Sequence, residues 1–507
     1  MQREVLRMER VTYREQDVTF LQDFELNVHE GEIMGLLPIN AYGLPAFLHI
    51  LRSNPPLYYG YVYYMDTLVN SWQDMKRNSN RISIIGGQSS LVEGQSVLSN
   101  IFILRPGFKQ EILRLNLLKK QLQPFLDDMN LSISPDTLVE QLTVFERVMV
   151  EILRAVVAGS HLIVMLEIST IVNDSEIARL HEIIRHYADK KMSFLYVSPH
   201  FEELLQICGR AAVMTDGCIV KVLSGNQMKP ETLLNFDGEY DMRVRQNLRA
   251  WNHGSIQKVI FEAKNITGQY IKGLNFQVHS GECLVIQNLD NRIFHEFIQI
   301  LTGNEPMAEG AILVEGCAVE PCKNRKMAVV LEQPGHTMLF KPMSYLDNLC
   351  MTIDERIPGV WVDNKIRKSI RLEYSKILGD DVFDKKIDDL TDIEKTELVY
   401  TRIMLQRPDI VFCVQPFKGM DMAHRMRIRE LQEMFLARGI AVVILAVNMA
   451  DALSLANRVI RIKENTVLTE YEQKDFSKLP LTVPWRSLYH TESSKFTSKK
   501  HHIIGRK

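Results

Sequence analysis

The sequence lacks several features that would place the chain in a specialised class of protein. It has no C-x-x-C pair among its seven cysteines and no apolar run near the roughly 20 residues that a membrane span needs. The cysteines are scattered and odd in number, which is typical of a reducing compartment and argues against a disulfide framework or a zinc site. We expect most of them to be small buried apolar residues.

An excess of charge of either sign is also missing. Sixty Lys and Arg stand against 62 Asp and Glu, so no overall positive field would gather nucleic acid. The first residues, MQREVLRMERVTY, contain no apolar stretch of the kind that a secretory signal needs, so we expect none. The composition, 46% hydrophobic and 24% charged, is that of a globular protein, and 507 residues predict about two to four domains.

Internal repetition predicts the architecture. Four landmarks recur in the same order at offsets of 248 to 250 residues, which indicates a duplication. The paired landmarks are Gly31-Glu32 and Gly281-Glu282, Leu142-Thr143 and Leu390-Thr391, Glu167 and Gln415, and Arg210 and Arg458. We therefore predict a first copy at residues 1–235, a linker at 236–254, a second copy at 255–475 and a tail at 476–507 that is basic at its end.

Each copy shows the pattern of a layered α/β fold. Short apolar runs that alternate with helical patterns predict a mostly parallel sheet with helices on both faces. In the first copy the apolar runs stand at 82–85, 162–166, 193–197 and 211–214, and helical patterns stand at 143–156 and 175–188.

The two copies resemble a known family. Their layout and the segments LVEGQSVLSNIFI, MVEILRAV, LHEIIRHY and FEELLQICGRAAVMTDG are similar to the ATPase subunit of ribose- and galactose-type ABC importers, over roughly residues 3 to 470. The resemblance implies two tandem ATP-binding cassettes. Each would be a P-loop NTPase-like mixed sheet flanked by helices, with a helical subdomain.

The phosphate-binding motif departs from the family pattern in the first copy. A P-loop, G-x-x-x-x-G-K-[ST], wraps phosphates with backbone N–H groups, and its Lys and hydroxyl bind phosphate and Mg²⁺. The matching register begins at Pro38 and includes Asn40, Gly43, Leu44 and Pro45. Leu44 replaces the Lys and Pro45 replaces the Ser or Thr, so a cation, a metal ligand and an N–H group are absent.

The second copy has lost the same motif. Its register contains Asn288, Asn291, Phe294 and His295, and it places the carboxylate of Asp290 where a polyphosphate would lie. Both glycines and the Lys are missing. We expect neither copy to cradle a triphosphate.

The resemblance also implies two carboxylates at one strand end, one for Mg²⁺ and one to polarise the attacking water. Glu167 is the sole retained carboxylate of this kind, and Gln415 stands in its place in the second copy. We expect Glu167 to be a solvated residue at the end of a strand. No residue set predicts a catalytic centre or a metal site.

The signature segments, which would face phosphate across the cassette pair, are altered as well. Phe145 and Ile393 stand where the loop would lie against phosphate. We predict a structural role for Thr143 and Thr391, as helix N-caps that pair with the Glu three residues further on.

Three more residues match family positions approximately. Tyr13 stands where an adenine-stacking aromatic would lie, Gln88 is next to the Q-loop position, and His200 is next to the switch histidine. A packing role for Tyr13 and a surface position for His200 are the simpler interpretations. Base stacking and a switch role are the alternatives.

Taken together, these losses predict a folded pseudo-ATPase, because phosphoryl transfer depends on charge stabilisation and positioning. We expect a scaffold or regulator that needs no ATP or Mg²⁺ and docks on a sugar permease through Ser89 to Ile103. It would be cytoplasmic and peripheral on the inner face of the cell membrane. An intact ATPase or a signalling protein is a further candidate partner.

Two other functions stay open at this point. The first is an authentic ATP-hydrolysing subunit that energises sugar import. The second is a signalling adaptor that senses nucleotide without turnover.

Overall fold

The computed structural model describes residues 3–70, 80–87, 89–102, 115–229, 258–288, 291–321, 324–351, 364–447, 449, 451–463 and 466–479. The predicted linker, Gln88, Asp290 and the chain from residue 480 onward lie outside these ranges. The predicted boundaries of the two copies and of the tail therefore stay predictions.

The first copy contains ten strands and six α-helices within the described residues. The strands are β1 (Glu4–Glu15), β2 (Val18–His29), β3 (Ile33–Pro38), β4 (Tyr59–Tyr64), β5 (Thr67–Leu68), β6 (Ile82–Ile85), β7 (Leu162–Leu166), β8 (Ser193–Val197), β9 (Arg210–Thr215) and β10 (Cys218–Ser224). The helices are α1 (Leu44–Ser53), α2 (Val97–Phe102), α3 (Leu115–Asp128), α4 (Val144–Ala158), α5 (Asp174–Asp189) and α6 (Phe201–Ile207). The four predicted strands and both predicted helices are confirmed.

The second copy has the same number of elements in its described part. The strands are β11 (Val259–Thr267), β12 (Leu274–His279), β13 (Cys283–Asn288), β14 (Glu309–Val314), β15 (Cys317–Ala318), β16 (Met327–Val330), β17 (Ile410–Val414), β18 (Ala441–Ala446), β19 (Arg458–Lys463) and β20 (Thr466–Glu472). The helices are α7 (Asn291–Thr302), α8 (Pro334–Thr337), α9 (Tyr345–Cys350), α10 (Asn364–Leu378), α11 (Asp392–Gln406) and α12 (Met422–Ala437).

Strand order is the same in both copies, which confirms the duplication. Each copy has a six-stranded sheet, ordered β10-β9-β3-β8-β7-β6 in the first and β20-β19-β13-β18-β17-β16 in the second. Its strands are parallel except for the antiparallel hairpin at one edge. A four-stranded antiparallel sheet, β2-β1-β4-β5 or β12-β11-β14-β15, completes each copy. The predicted α/β class with a mixed sheet is confirmed.

The central strands are buried on both faces, as parallel sheets require. Every residue of β8 and β17 is buried, and the helices that pack on these sheets contribute the rest of the core. Most described cysteines belong to this core, and burial raises the pKa of Cys413 to about 12. Among the described helices, none is long and apolar enough to cross a membrane.

One ion pair recurs in the two copies and joins neighbouring strands of each large sheet. Arg210 Nε donates to Glu32 Oε1 at 2.7 Å, and Arg458 Nε donates to Glu282 Oε1 at 2.7 Å. In the first copy, burial raises the pKa of Glu32, but hydrogen bonds from Arg210 and His29 outweigh burial, so the pKa is lowered. Two of the sequence landmarks therefore mark a structural contact.

Removing one partner of this pair should destabilise the second copy, because Arg458 would keep a largely buried charge without its main partner. We expect Glu282→Gln to lower the free energy of unfolding by about 2 to 4 kcal/mol, measured by urea denaturation. Asp66→Asn, which breaks the exposed Arg3–Asp66 pair, is the control and should cost less than about 1 kcal/mol. An equal loss of unfolding free energy in the two variants would contradict this account.

Candidate site between the two copies

The first copy's phosphate register is a short loop between β3 and α1 that is built for packing. Pro38 and Gly43 are buried, and the side chain of Leu44 lies in the hydrophobic core of this copy. Gly43 has a φ of 82°, and an added Cβ would lie 2.6 Å from the carbonyl oxygen of Phe20. Space and backbone conformation therefore require the one glycine that this register retains.

Three backbone N–H groups of this loop are already bonded to protein groups. Tyr42 N–H donates to Asn40 Oδ1 at 3.2 Å, and Leu44 N–H donates to the Ala41 carbonyl at 3.2 Å. Ala41 N–H donates to Asp421 Oδ2 of the second copy, also at 3.2 Å. A carboxylate from the same chain thus lies on the loop whose amides would hold phosphate in a working cassette.

In the second copy the same register has become helix. Asn288 ends β13, Asn291 already begins α7, and the ring of Phe294 is buried in the core. His295 is exposed and lies 3.4 Å from Gln299 on the same helix.

Glu167 and Gln415 follow equivalent strands in the same strained backbone conformation. Their φ angles are 51° and 42°, a left-handed region that non-glycine residues seldom adopt. Burial raises the pKa of Glu167, the nearby Arg425 of the second copy lowers it, and Asp421 and Glu203 raise it. Glu167 is half-buried, so it is neither fully solvated, as predicted, nor fully enclosed.

His200 is buried, so the prediction of a surface position was wrong. Its Nε2 lies 3.0 Å from Arg425 Nη1 and 3.6 Å from Asp451 Oδ2, both in the second copy. Arg425 Nη1 is 3.4 Å from the same Asp451 oxygen. Burial lowers the pKa of His200 to about 4, with Asp451 opposing this effect and Arg425 adding to it.

A buried carboxylate lies behind this contact in the first copy. Tyr196 and Ser198 donate hydroxyl hydrogen bonds to Glu203, and His200 N–H donates to Ser198 Oγ at 3.1 Å. Burial raises the pKa of Glu203, while these hydroxyl groups and the charge of Arg425 oppose that rise. The network fixes the turn between β8 and α6, and so it fixes where His200 meets Arg425.

The signature segments are helix caps. The side chains of Thr143 and Thr391 each accept a hydrogen bond from the backbone N–H of the Glu three residues on. The carboxylate of each Glu accepts one from the backbone N–H of the Thr, which confirms both predicted capping boxes. Phe145 is buried in the core and does not lie over the loop, which corrects its predicted position. Ile393 is partly buried.

Tyr13 is a packing element. Only 5% of its surface is exposed, its hydroxyl donates to Glu15, and its ring lies 6.2 Å from that of His49. Burial, followed by the interaction with Glu15, raises its pKa to about 12. The ring is therefore not available to stack on a base.

Sequence reasoning missed three residues of this site: Asp421, Arg425 and Asp451. A comparison of the two copies would have indicated two of them. Asn173 and Ile177 stand 248 positions before Asp421 and Arg425, so the second copy alone has a charged pair here. An open cleft lies beside these residues. Its walls are Thr170, His200, Gln415, Pro416, Phe417, Lys418, Ala446, Val447 and Asp451.

The described part of the predicted docking segment is well ordered by polar contacts. Ser90 N–H and Oγ both donate to the buried Glu151, and Asn100 Oδ1 accepts from Val92 N–H at 2.7 Å. The second copy repeats the last contact, with Asn348 accepting from Phe340 N–H at 2.9 Å. Val92 itself points to solvent.

Known proteins resemble this chain over almost its whole length. The galactose/methyl galactoside import ATP-binding protein MglA 1 of Photobacterium profundum is 24% identical over 499 residues, which cover 94% of this chain and 98% of that protein. A putative ribose/galactose/methyl galactoside import ATP-binding protein of Halalkalibacterium halodurans is 23% identical over 513 residues, 98% of this chain and 96% of that protein. The chain is a homologue of sugar ABC importer ATP-binding proteins.

A solved structure supports the fold across both copies. In the crystal structure of the complex of archaeal ribosomal stalk protein aP1 and archaeal ribosome recycling factor aABCE1, a chain matches with a TM-score of 0.56 and 14% identity. The match covers 90% of this chain and 88% of that one. No family model matches the chain. The two copies are tandem ABC-type nucleotide-binding domains.

The residues present do not fit a magnesium triphosphate. Leu44 is buried where a cation would be needed, and one amide of the loop already donates to the carboxylate of Asp421. Among the described residues, no group of three or more His, Cys, Asp or Glu side chains is placed to hold a metal ion.

The buried His200 predicts a pH dependence of stability. With a folded pKa of about 4 and an ordinary value of 6.5, the unfolded state binds more protons between these values, so stability falls as pH falls from about 6.5 to about 4. Between pH 7 and 5 the loss should be about 2 kcal/mol, and His200→Gln should remove it. Urea denaturation at the two pH values checks this.

The comparison must be made between variant and parent, because Glu167 and Glu203 have raised pKa values and act with the opposite sign. The same decline in both proteins would contradict the assignment to His200.

Proposed function

We propose that this protein is a non-hydrolysing homologue of the sugar-importer ATP-binding subunits that acts as a scaffold or regulator on a membrane permease. The observation that carries the proposal is the first copy's phosphate register. Three of its amides donate to protein groups, one of them to Asp421 of the second copy, and Leu44 lies in the core in place of a cation.

Loss of turnover follows from the number of parts that are missing. A single charge-stabilising part can be worth on the order of 10²- to 10⁵-fold in rate, and several are absent together. Glu167 keeps a carboxylate, but Leu166 stands in the place of the metal ligand, and the charge of Arg425 acts on Glu167. The Mg²⁺ and the phosphates that Glu167 would serve have no binding groups.

The permease partner rests on the names of the relatives and on the segment around α2. Ser89, Ser90 and Asn100 hold this segment through part-buried polar contacts. An exposed apolar side chain, Val92, lies on its outer surface. A docked permease would place the protein on the cytoplasmic face of the membrane, and the transported sugar would be of the ribose or galactose type.

We expect Mg-ATP at millimolar concentration to leave the thermal stability of the purified chain unchanged. A ligand at 100 times its Kd would add about 2.7 kcal/mol to the free energy of unfolding, which a melting experiment detects easily.

A magnesium-dependent shift accompanied by phosphate release would favour an authentic ATPase and contradict the proposal. An equal shift with ADP, ATP and no metal would favour the nucleotide-sensing adaptor. Both outcomes come from the same titration.

Charge at Val92 should disrupt permease docking, because an Asp there would be desolvated against an apolar partner surface. We expect Val92→Asp to lose at least about tenfold in capture of a co-expressed ribose- or galactose-type permease in detergent. Val18→Asp is the matched control, since Val18 is exposed to nearly the same extent, 46% against 49%, and lies outside the docking segment. Equal capture by both variants would remove this surface from the proposal.

A further inference from the structure

The outer face of the first copy's four-stranded sheet carries exposed tyrosines. Successive side chains of β4 point to opposite sides of the sheet, so Val62 and Tyr64 are in the core, and Tyr59, Tyr61 and Tyr63 are on the outer side. We call these last three residues the tyrosine row. Tyr59 and Tyr61 are each 53% exposed, and exposed aromatic patches of this kind are typical of protein–protein contacts.

Arginine side chains of β1 stack on rings along this strand. The Cζ atom of Arg7 is 4.2 Å from the ring centre of Tyr63, and that of Arg14 is 4.0 Å from the ring centre of Tyr58, which directly precedes β4. Stacking restricts side chains that would otherwise be mobile in solvent. Less conformational entropy is therefore lost when a partner binds to this face.

The fold itself does not require the tyrosine row, because the second copy builds the same sheet without it. The strand register places Glu309, Ala311 and Leu313 of β14 at the positions of the tyrosine row in β4. Gly60 and Gly310, at equivalent positions of the two strands, have φ angles of 95° and 100°, so the local geometry is also the same. The tyrosine row therefore belongs to the surface of the first copy and not to the requirements of the fold.

Arg10 occupies a backbone position that favours another residue type. Its φ is 49°, equal to that of Asn265 at the equivalent bulge of the second copy. Asparagine tolerates this left-handed conformation well, whereas arginine seldom adopts it. Arg10 Nε donates to Asp23 Oδ1 at 3.1 Å, and its Cζ atom is 5.5 Å from the ring centre of Tyr59. The arginine is thus explained by the outer face and not by the backbone conformation.

Charges of both signs lie side by side on this face. Arg7 Nε is 3.1 Å from Glu9 Oε1, so part of the charge is balanced within the sheet. Arg14 on β1 and Glu25 on β2 are exposed and make no ion pair within the described part of the chain. The face therefore offers one cation and one anion to a partner. A strongly acidic or strongly basic partner would meet one of them with a like charge.

We propose that this face joins two molecules of the protein into a dimer with twofold symmetry. In a face-to-face pair the twofold axis exchanges equivalent positions, so it can bring Arg14 of each chain to Glu25 of the other. β1 and β2 each have 12 residues, and with β4 they span about 40 Å by about 14 Å, so the pair would bury about 1,200 Å², the lower end of the range for stable specific interfaces. Because the second copy lacks the tyrosine row, the contact closes at two chains.

Sedimentation velocity of the purified full chain tests the dimer. Over a concentration range of about 1 to 100 µM, we expect the mass to rise from 58.5 kDa toward twice that value. A triple variant, Tyr59→Glu with Tyr61→Ala and Tyr63→Leu, gives β4 the residues that β14 already folds with. It should raise the Kd of the dimer at least about tenfold. Tyr270→Ala, which removes an exposed tyrosine of the second copy, is the control and should leave the Kd unchanged.

Exchange of two charges tests the twofold geometry. Arg14→Glu and Glu25→Arg each place like charges opposite one another in a homodimer, so each variant alone should raise the Kd at least about tenfold. An equimolar mixture of the two variants pairs opposite charges again, and its mixed dimers should have a Kd within about threefold of the parent value. Both side chains are exposed, so the fold should tolerate either change.

Four outcomes would overturn the proposal. They are a parent chain that stays monomeric up to about 100 µM, an unchanged dimer in the triple variant, no recovery in the mixture, and capture of a different protein by the tyrosine row of a monomeric chain. A monomeric parent together with no Mg-ATP shift would reject the dimer alone, because neither nucleotide nor a permease takes part in this contact.

Discussion

A buried guanidinium needs polar partners, and those of Arg425 come from both halves of the chain. Its Nη1 lies 3.4 Å from Asp451 Oδ2 of the second copy and 3.0 Å from His200 Nε2 of the first. This constraint links two copies that otherwise fold around separate cores. His200 lies 3.0 Å from the same guanidinium, and burial is the main reason for its lowered pKa, with the charge of Arg425 as a smaller cause.

The altered phosphate register belongs to the same account. A side chain at Gly43 would collide with the neighbouring strand, and Leu44, which stands in place of the Lys, is part of the core. Packing therefore accounts for both residues. The two copies thus share one strand order, while charged residues of the second copy contact the first.

Much of the fold could be predicted from sequence because local patterns determine it. The runs at 162–166 and 193–197 are strands, and Thr143 and Thr391 are N-caps, since burial periodicity and capping chemistry act over a few residues. The constant offset between the repeated landmarks also predicted two equivalent sheets.

The site was harder to predict because its chemistry depends on contacts between residues far apart in the chain. Glu167 and His200 are at strand ends, where a sequence pattern indicates solvent, and His200 is covered by a helix more than 200 residues later. Tyr13 has the residue type that a base-stacking position would need, but its ring is buried in the core. A position-by-position comparison of the two copies would have singled out Asp421 and Arg425, because their charges have no counterpart in the first copy.

An experimental structure determined by electron cryomicroscopy in 5 mM Mg-ATP tests the central claim most directly. The account predicts Leu44 in the core, Arg425 beside His200 and no nucleotide between the copies. Density for a triphosphate against residues 38–45 would contradict it.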